Sequence, residues 1–300
     1  MEHKLPPWRS LLFVPANVPE YIDKAHLRGA DAIVLDLEDS VPPGEKAAAR
    51  ERVASVAATL TARGVDVVVR INASLRLAAP DLEALASPAV HAVCVPKVNG
   101  AAQLQWISEA LGELEVERGI PRGTIRLIAM IESVAALSRR EEIAKSTRRL
   151  AAMTLGTEDF AVSAGIAPEA DALLHPCQQV VFAARAAGIT PLGFVGSIAQ
   201  YRDLEAFRAT IRRSRQLGFR GALCIHPAQA AIMNEEFAPS EEELSEARGI
   251  IDAYEQALAA GRGSAEYNGR MLDAPVVARA KEVLASAADE VPQRPPAATD

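Results

Sequence analysis

Acidic and basic residues recur at one kind of place in this chain, just after a short apolar run. "DAIVLDLEDS" leads into Asp36, Glu38 and Asp39, and "DVVVRINA" into Arg70 and Asn72. "HAVCVPKV" carries Lys97, "IRLIAMIES" ends on Glu132, and "LAAMTLGTED" ends on Glu158 and Asp159. "GALCIHPAQ" adds His226 and Gln229. A charge at the end of a buried run is costly unless it is paired or meets a cation. Six such ends with the same habit point to a site.

Glu132 and Asp159 come from consecutive runs and could place carboxylate oxygens on one cation. Few protein ligands, all oxygen, leave positions for water and substrate, which is how Mg²⁺ is usually held. Arg70 offers a planar, permanently charged fork for a substrate carboxylate. Metal and arginine together would grip a 2-oxo acid, or the enolate formed from it. Bland readings stand beside these. Asp36, Glu38 and Asp39 could simply pair with Arg70 and Lys97, with Asp36 the most structural of the three. Lys97 could form a Schiff base, although the acids near it favour a charged partner that helps bind substrate. His226 could do no more than hydrogen-bond backbone at its strand end.

The elements that would carry these residues repeat. Eight apolar runs (10–16, 31–39, 66–73, 91–98, 125–133, 150–159, 191–197 and 221–229) alternate with segments of helical period. Continuous apolarity suits parallel strands covered on both faces. Helices are predicted at 45–63 and 202–217, each with a glycine just beyond, Gly64 and Gly218. The first run is not followed by the glycine-rich loop of an open dinucleotide-binding sheet. The fold expected is an α/β (β/α)8 TIM barrel over 1–230, whose site lies at the carboxyl ends of its strands. Residues 231–300 read as a C-terminal helical extension or lid. It opens on Ser240 with an acidic first turn and ends in a Pro-rich segment, "PQRPPAATD", expected to be disordered.

Composition narrows the function classes. A net charge of -7 over 300 residues speaks against a nucleic-acid-binding surface. No apolar run approaches the roughly 20 residues that cross a bilayer, so a cytoplasmic protein without a membrane anchor is expected. Cys94, Cys177 and Cys224 are too dispersed for a disulfide framework and read as core thiols. Trp8 and Trp106 are expected to be packing anchors, and His91 a surface residue. Lys24 and Arg28 could meet an anionic ligand or be surface charges.

In order along the chain, "RSLLFVPAN", "GADAIVLDLEDSVPPGEKAAAR", "VVRINA", "VPKV", "MIES", "LGTEDF", "AARAAGI" and "GFRGALCIHPAQ" resemble the citrate lyase β-subunit-like proteins. These belong to the HpcH/HpaI aldolase superfamily, which includes malyl-CoA and citramalyl-CoA lyases. The resemblance implies a Mg²⁺-dependent lyase that cleaves or forms a C–C bond in a 3-hydroxyacyl-CoA, giving an oxo acid and an acyl-CoA thioester. It also implies a homotrimer or hexamer. Carried over by motif, Glu132 and Asp159 hold the metal, Arg70 holds the substrate carboxylate, and Glu38 and Asp39 line the site near the metal's waters. In "NGRMLDAP", Asp273 matches the lid aspartate that moves the acyl proton from a neighbouring subunit. Ala16 in "FVPAN", Pro-Cys-Gln at 176–178 and the absence of an acid before the seventh run depart from the pattern and touch substrate contacts more than the metal. A pyruvate aldolase that works without CoA, and a non-catalytic subunit of a lyase complex, are the alternatives.

Overall fold

A computed structural model describes residues 5–199 and 202–288. The end expected to be disordered, 292–300, lies outside the described residues. All eight predicted runs form strands: β1 (Ser10–Pro15), β2 (Ala32–Asp36), β3 (Asp66–Arg70), β4 (Ala92–Val95), β5 (Arg126–Ile131), β6 (Leu150–Leu155), β7 (Thr190–Leu192) and β8 (Ala222–Cys224). Each ends before its polar residues or at the first of them, which the loops then carry into the mouth. The strands pair in parallel in the order β7-β6-β5-β4-β3-β2-β1-β8, as a (β/α)8 barrel requires. Closure between the two ends of that order rests on two backbone bonds: Gly193 N–H donates to the Gly221 carbonyl (2.8 Å), and Arg220 N–H to that of Pro191 (3.0 Å). Gly221 must be glycine here, because a Cβ would lie 2.0 Å from the Trp8 carbonyl oxygen.

Alternation along the strands sorts side chains into two layers. Val34, Val68, Cys94, Ile128 and Ala152 fill the barrel interior. Ile33, Leu35, Val67 and Val69 face the surrounding helices. By the same alternation Asp36 and Arg70, two residues beyond Val34 and Val68, turn inward at the carboxyl end. The predicted helices appear as Lys46–Ala62 and Leu204–Gln216, and Gly64 and Gly218 follow them at φ +77° and +109°. All three cysteines are buried.

Trp8 is the expected anchor. It plugs the amino end of the barrel, and its Nε1–H donates to Asp66 Oδ2 at 2.7 Å. His91 is not a mere surface residue: it meets Trp8 edge-on at 6.4 Å, and its Nδ1 accepts from Val67 N–H at 3.2 Å. Trp106 corrects the other expectation, since 39% of it remains exposed on the helix Ala101–Glu117. Helical position alone did not reveal which face that indole takes.

The boundary expected at 230 falls inside the helix Pro227–Phe237, which buries Ile232, Met233 and Phe237 in the barrel core. The extension starts after it, with the helix Glu241–Ala259, a hairpin of β9 (Ala265–Tyr267) and β10 (Arg270–Leu272), and the helix Ala274–Ala288. Ser240 and Glu243 close the predicted capping box with bonds of 3.1 and 2.8 Å. Glu282 of the last helix pairs with Arg185 at 2.8 Å and lies 3.5 Å from Arg220. Both arginines sit where the chain re-enters a strand, at the amino end of the barrel. The extension therefore packs at the end opposite its own mouth. No helix among the described residues is long and apolar enough to cross a membrane.

Candidate active site

The loops beyond the carboxyl ends of the strands surround a cavity of about 310 Å³ lined in part by Asp36, Arg70, Glu132 and Asp159. β2 and β3 set its floor. Asp36 and Arg70 are register partners, and the guanidinium donates from Nε and Nη2 to the two oxygens of Asp36 at 2.7 and 2.6 Å. The aromatic ring of Phe13 covers one face of the guanidinium at 4.5 Å. Burial opposes ionisation of Asp36, but the Arg70 hydrogen bonds and charge outweigh it and hold the carboxyl below its usual range. Arg70 is correspondingly held more firmly in its charged form. The two-pronged edge expected to meet substrate is thus taken by Asp36. What remains for a substrate carboxylate is the end of the fork, Nη1 and the second Nη2 proton, where Glu38 Oε2 lies 3.3 Å from Nη1.

The loop after β2 is tied down by its own motif. Asp36 accepts the backbone N–H groups of Glu38 (2.9 Å) and Ser40 (3.2 Å), and Lys46 Nζ donates to the carbonyls of Leu37 and Glu38. Glu38 is thereby held buried, at 4% exposure, with Oε2 accepting no hydrogen bond. Burial pushes its carboxyl up.

Lys97 lies at the centre of the acids. Its ammonium is 2.8 Å from Glu38, 3.2 Å from Asp39 and 3.7 Å from Asp159. Its backbone N–H donates to Glu132 Oε2. An amine that its acidic neighbours keep protonated cannot attack a carbonyl. Those contacts raise the Lys97 pKa despite partial desolvation, so the geometry supports the charged-partner reading over the Schiff base.

Glu132 follows β5 and lies against Gly156, at the end of β6. A Cβ on Gly156 would come within 2.5 Å of Glu132 Cγ, so the missing side chain makes the carboxylate's berth. Burial first, and then the charges of Glu38 and Asp159, push the Glu132 pKa up to about 7. Asp159 stands in the first turn of the helix Thr157–Ala164, half exposed to the mouth. Among the described residues no group of three or more His, Cys, Asp or Glu forms a ready-made metal cage. The arrangement fits Mg²⁺ all the same. The donors are hard carboxylate oxygens, Glu38 Oε2 is buried and accepts no hydrogen bond, with the Arg70 ion pair beside it, and a protein cation, Lys97, already lies among the acids.

Other predicted residues are brought elsewhere. Asn72 is held by Asp81 through its N–H (2.9 Å) and its amide (2.7 Å). His226 caps the helix Pro227–Phe237, its Nδ1 accepting from Ala228 N–H at 3.2 Å. Gln229 Oε1 accepts the N–H groups of Ile225 (3.0 Å) and His226 (3.2 Å). Lys24 and Arg28 flank His26, whose Nδ1 lies 3.1 Å from Nη1 of Arg63. Arg63 follows the helix Lys46–Ala62, and neither Lys24 nor Arg28 lines the cavity. Asp273 lies in the extension, exposed, and its Oδ1 accepts from Val276 N–H at 3.3 Å. Phe13, Lys46 and Gly156 escaped the sequence reading. "LGTED" and "PPGEK" carried the last two in plain view, but an approach between strands has no signature along one strand.

The profile of the family described as HpcH/HpaI aldolase/citrate lyase matches residues 9–227. A citrate lyase subunit beta of Leuconostoc mesenteroides subsp. cremoris is 34% identical, over 92% of this chain and 92% of its own length. An L-malyl-CoA/beta-methylmalyl-CoA lyase of Cereibacter sphaeroides is 34% identical, over 94% of this chain and 95% of its own length. Among solved structures, protein CitE of Mycobacterium tuberculosis in complex with magnesium, acetoacetate and coenzyme A is 30% identical. It superposes with a TM-score of 0.74 and covers 96% of this chain and 100% of that one. The chain belongs to the HpcH/HpaI aldolase/citrate lyase family.

Proposed function

We propose that the protein is a Mg²⁺-dependent lyase of 3-hydroxyacyl-CoA thioesters, parting a C–C bond to give a 2-oxo acid and an acyl-CoA, or joining them in reverse. The observation that carries this reading is the convergence of Arg70, Glu132 and Asp159 on one cavity. The relatives' names, and solved neighbours in complex with magnesium and acetoacetate, pyruvate or oxaloacetate, point the same way.

Each residue has a task in that reaction. The free end of the Arg70 fork binds the carboxylate of the oxo-acid half, while Asp36 and Phe13 keep the guanidinium from turning. Glu132 and Asp159 would hold Mg²⁺. When bound, the ion supplies Lewis-acid polarisation of the oxygen that is hydroxyl in one direction and carbonyl in the other. Glu38 and Asp39 present carboxylates beside it and accept hydrogen bonds from water. Lys97 contributes positive charge near the same oxygens. Asp273 is the proposed acid and base for the acyl carbon, donating a proton as the C–C bond parts while the hydroxyl proton passes to water beside Glu38 and Asp39, with both transfers reversed in condensation. Because its extension packs at the amino end of its own barrel, that task falls to the Asp273 of a second copy. A trimer or hexamer in the cytoplasm is part of the proposal.

The test is direct. Purified protein with Mg²⁺ should consume acetyl-CoA together with an oxo acid such as glyoxylate or oxaloacetate, and EDTA should stop it. Turnover of pyruvate with an aldehyde, but none of any CoA thioester, would instead identify a CoA-independent aldolase. Activity that appears only when a separate carrier chain is added would identify a lyase-complex subunit.

A further inference from the structure

We propose that the Lys97 ammonium is the site's own counter-cation, seated among the carboxylates until a divalent ion displaces it from Asp159. The inference rests on the reading that Glu132 and Asp159 hold the metal, and goes beyond it by naming the residue that sets how tightly they do so.

Three features of Lys97 converge. Its backbone is left-handed, at φ 49°, a conformation that glycine adopts freely and a lysine rarely does. That turn aims its N–H at Glu132 Oε2 and throws the side chain across the mouth. A non-glycine residue kept in such a conformation at a functional site is a sign that its side chain is used there. The ammonium then reaches acids from two separate elements, Glu38 and Asp39 on the loop after β2 and Asp159 beyond β6.

Charge gives the direction of the effect. Among the described residues, Asp36, Glu38, Asp39, Glu132 and Asp159 are the carboxylates in contact with Arg70 or Lys97, Glu132 through the Lys97 backbone N–H. Arg70 is committed to Asp36 and reaches Glu38 with Nη1, so Lys97 is the cation that answers Asp39 and Asp159 from within the mouth. A divalent ion on Asp159 meets a like charge already touching that residue, and repulsion at contact distance lowers its affinity. The lysine has four methylenes of reach and a side chain that is 39% exposed, so the ammonium can withdraw toward Asp39 and solvent while the backbone keeps Glu132 in place. The benefit to the empty enzyme is a mouth whose acids do not repel one another. The cost is weaker metal binding.

Calorimetric titration of the full chain with MgCl₂ tests this. Lys97→Met should bind Mg²⁺ about tenfold more tightly than the native protein. Lys97→Gly, which also relieves the backbone, should show the same tightening if Lys97→Met folds poorly. Lys97→Arg, which keeps the charge, should stay close to native. Unchanged or weaker Mg²⁺ binding in both Lys97→Met and Lys97→Gly would overturn the proposal. Glu132→Gln and Asp159→Asn serve as the reference pair. If they bind Mg²⁺ as tightly as native protein, the metal site itself is misplaced and the inference falls with it. If they lose Mg²⁺ while both Lys97 variants fail to gain it, only the counter-cation role is refuted.

Discussion

Asp36 and Arg70 stand opposite one another in register on adjacent parallel strands, and two hydrogen bonds of 2.7 and 2.6 Å lock the carboxylate across the guanidinium. The pair is almost wholly buried, with side chains 1% and 12% exposed. Removing one partner therefore leaves an uncompensated charge. Asp36→Ala should cost about 3–5 kcal/mol of stability, seen as a lower denaturant midpoint at unchanged slope. Arg70→Lys keeps a charge opposite Asp36 but loses the planar fork. It should cost less stability and still raise KM for the oxo acid by roughly 100-fold, about 2.7 kcal/mol. If Arg70→Lys retains a native KM, the substrate carboxylate is held elsewhere.

Gly156 gives Glu132 its berth. In Gly156→Ala the new methyl would meet Glu132 Cγ, Cδ and Oε1 at under 3 Å, so the carboxylate must leave. Mg²⁺ affinity should fall at least about tenfold, roughly 1.4 kcal/mol, with circular dichroism unchanged. Titration of the variant with MgCl₂ decides the matter, and native affinity would mean that Glu132 does not hold the ion from this position.

The Glu132 carboxyl, raised from 4.5 to about 7, makes the metal-free protein sensitive to pH. Between those values the folded state binds a proton that the unfolded chain has released. Stability therefore falls as pH rises through that window, by on the order of 3 kcal/mol once complete. A cation that binds the ionised carboxylate reverses the loss. In EDTA, Tm should drop between about pH 5 and about pH 8, and added Mg²⁺ should raise Tm more at the higher pH. Glu132→Gln should flatten the drop. A Tm in EDTA that climbs across the window would contradict the assignment.

Asp273 is exposed, and its side chain accepts a helix-capping bond from Val276 N–H. Asp273→Asn should leave Tm within about a degree of native and lower kcat by about 100-fold or more. If the residue serves a second copy's mouth, co-refolding Asp273→Asn with Arg70→Lys, each impaired alone, should restore part of the activity at oxo-acid concentrations well below the Arg70→Lys KM, because some mouths then pair a native Arg70 with a native Asp273. No recovery, with mixed oligomers verified by mass spectrometry, would exclude the shared site.

The amino-acid sequence by itself determined the barrel, its eight strands and the residues at their carboxyl ends. Parallel strands covered on both faces must be continuously apolar, and a charge at such an end is costly enough to stand out. It also announced the Ser240 cap, whose chemistry is local. Which acid meets which base was decided only by the tertiary structure. Asp36 rather than a substrate takes the side of the Arg70 fork, Lys97 reaches across to Asp159, and Gly156 opens a berth for Glu132. Those partners are 34, 62 and 24 positions apart, and closing the barrel is what brings them within a few ångströms. The same holds for the tail. Its helices are legible in their caps and periodicity, but only tertiary contacts, those of Glu282 with Arg185 and Arg220 among them, reveal that it lies at the far end from its own mouth, because that placement comes from packing between surfaces with no pattern along the chain.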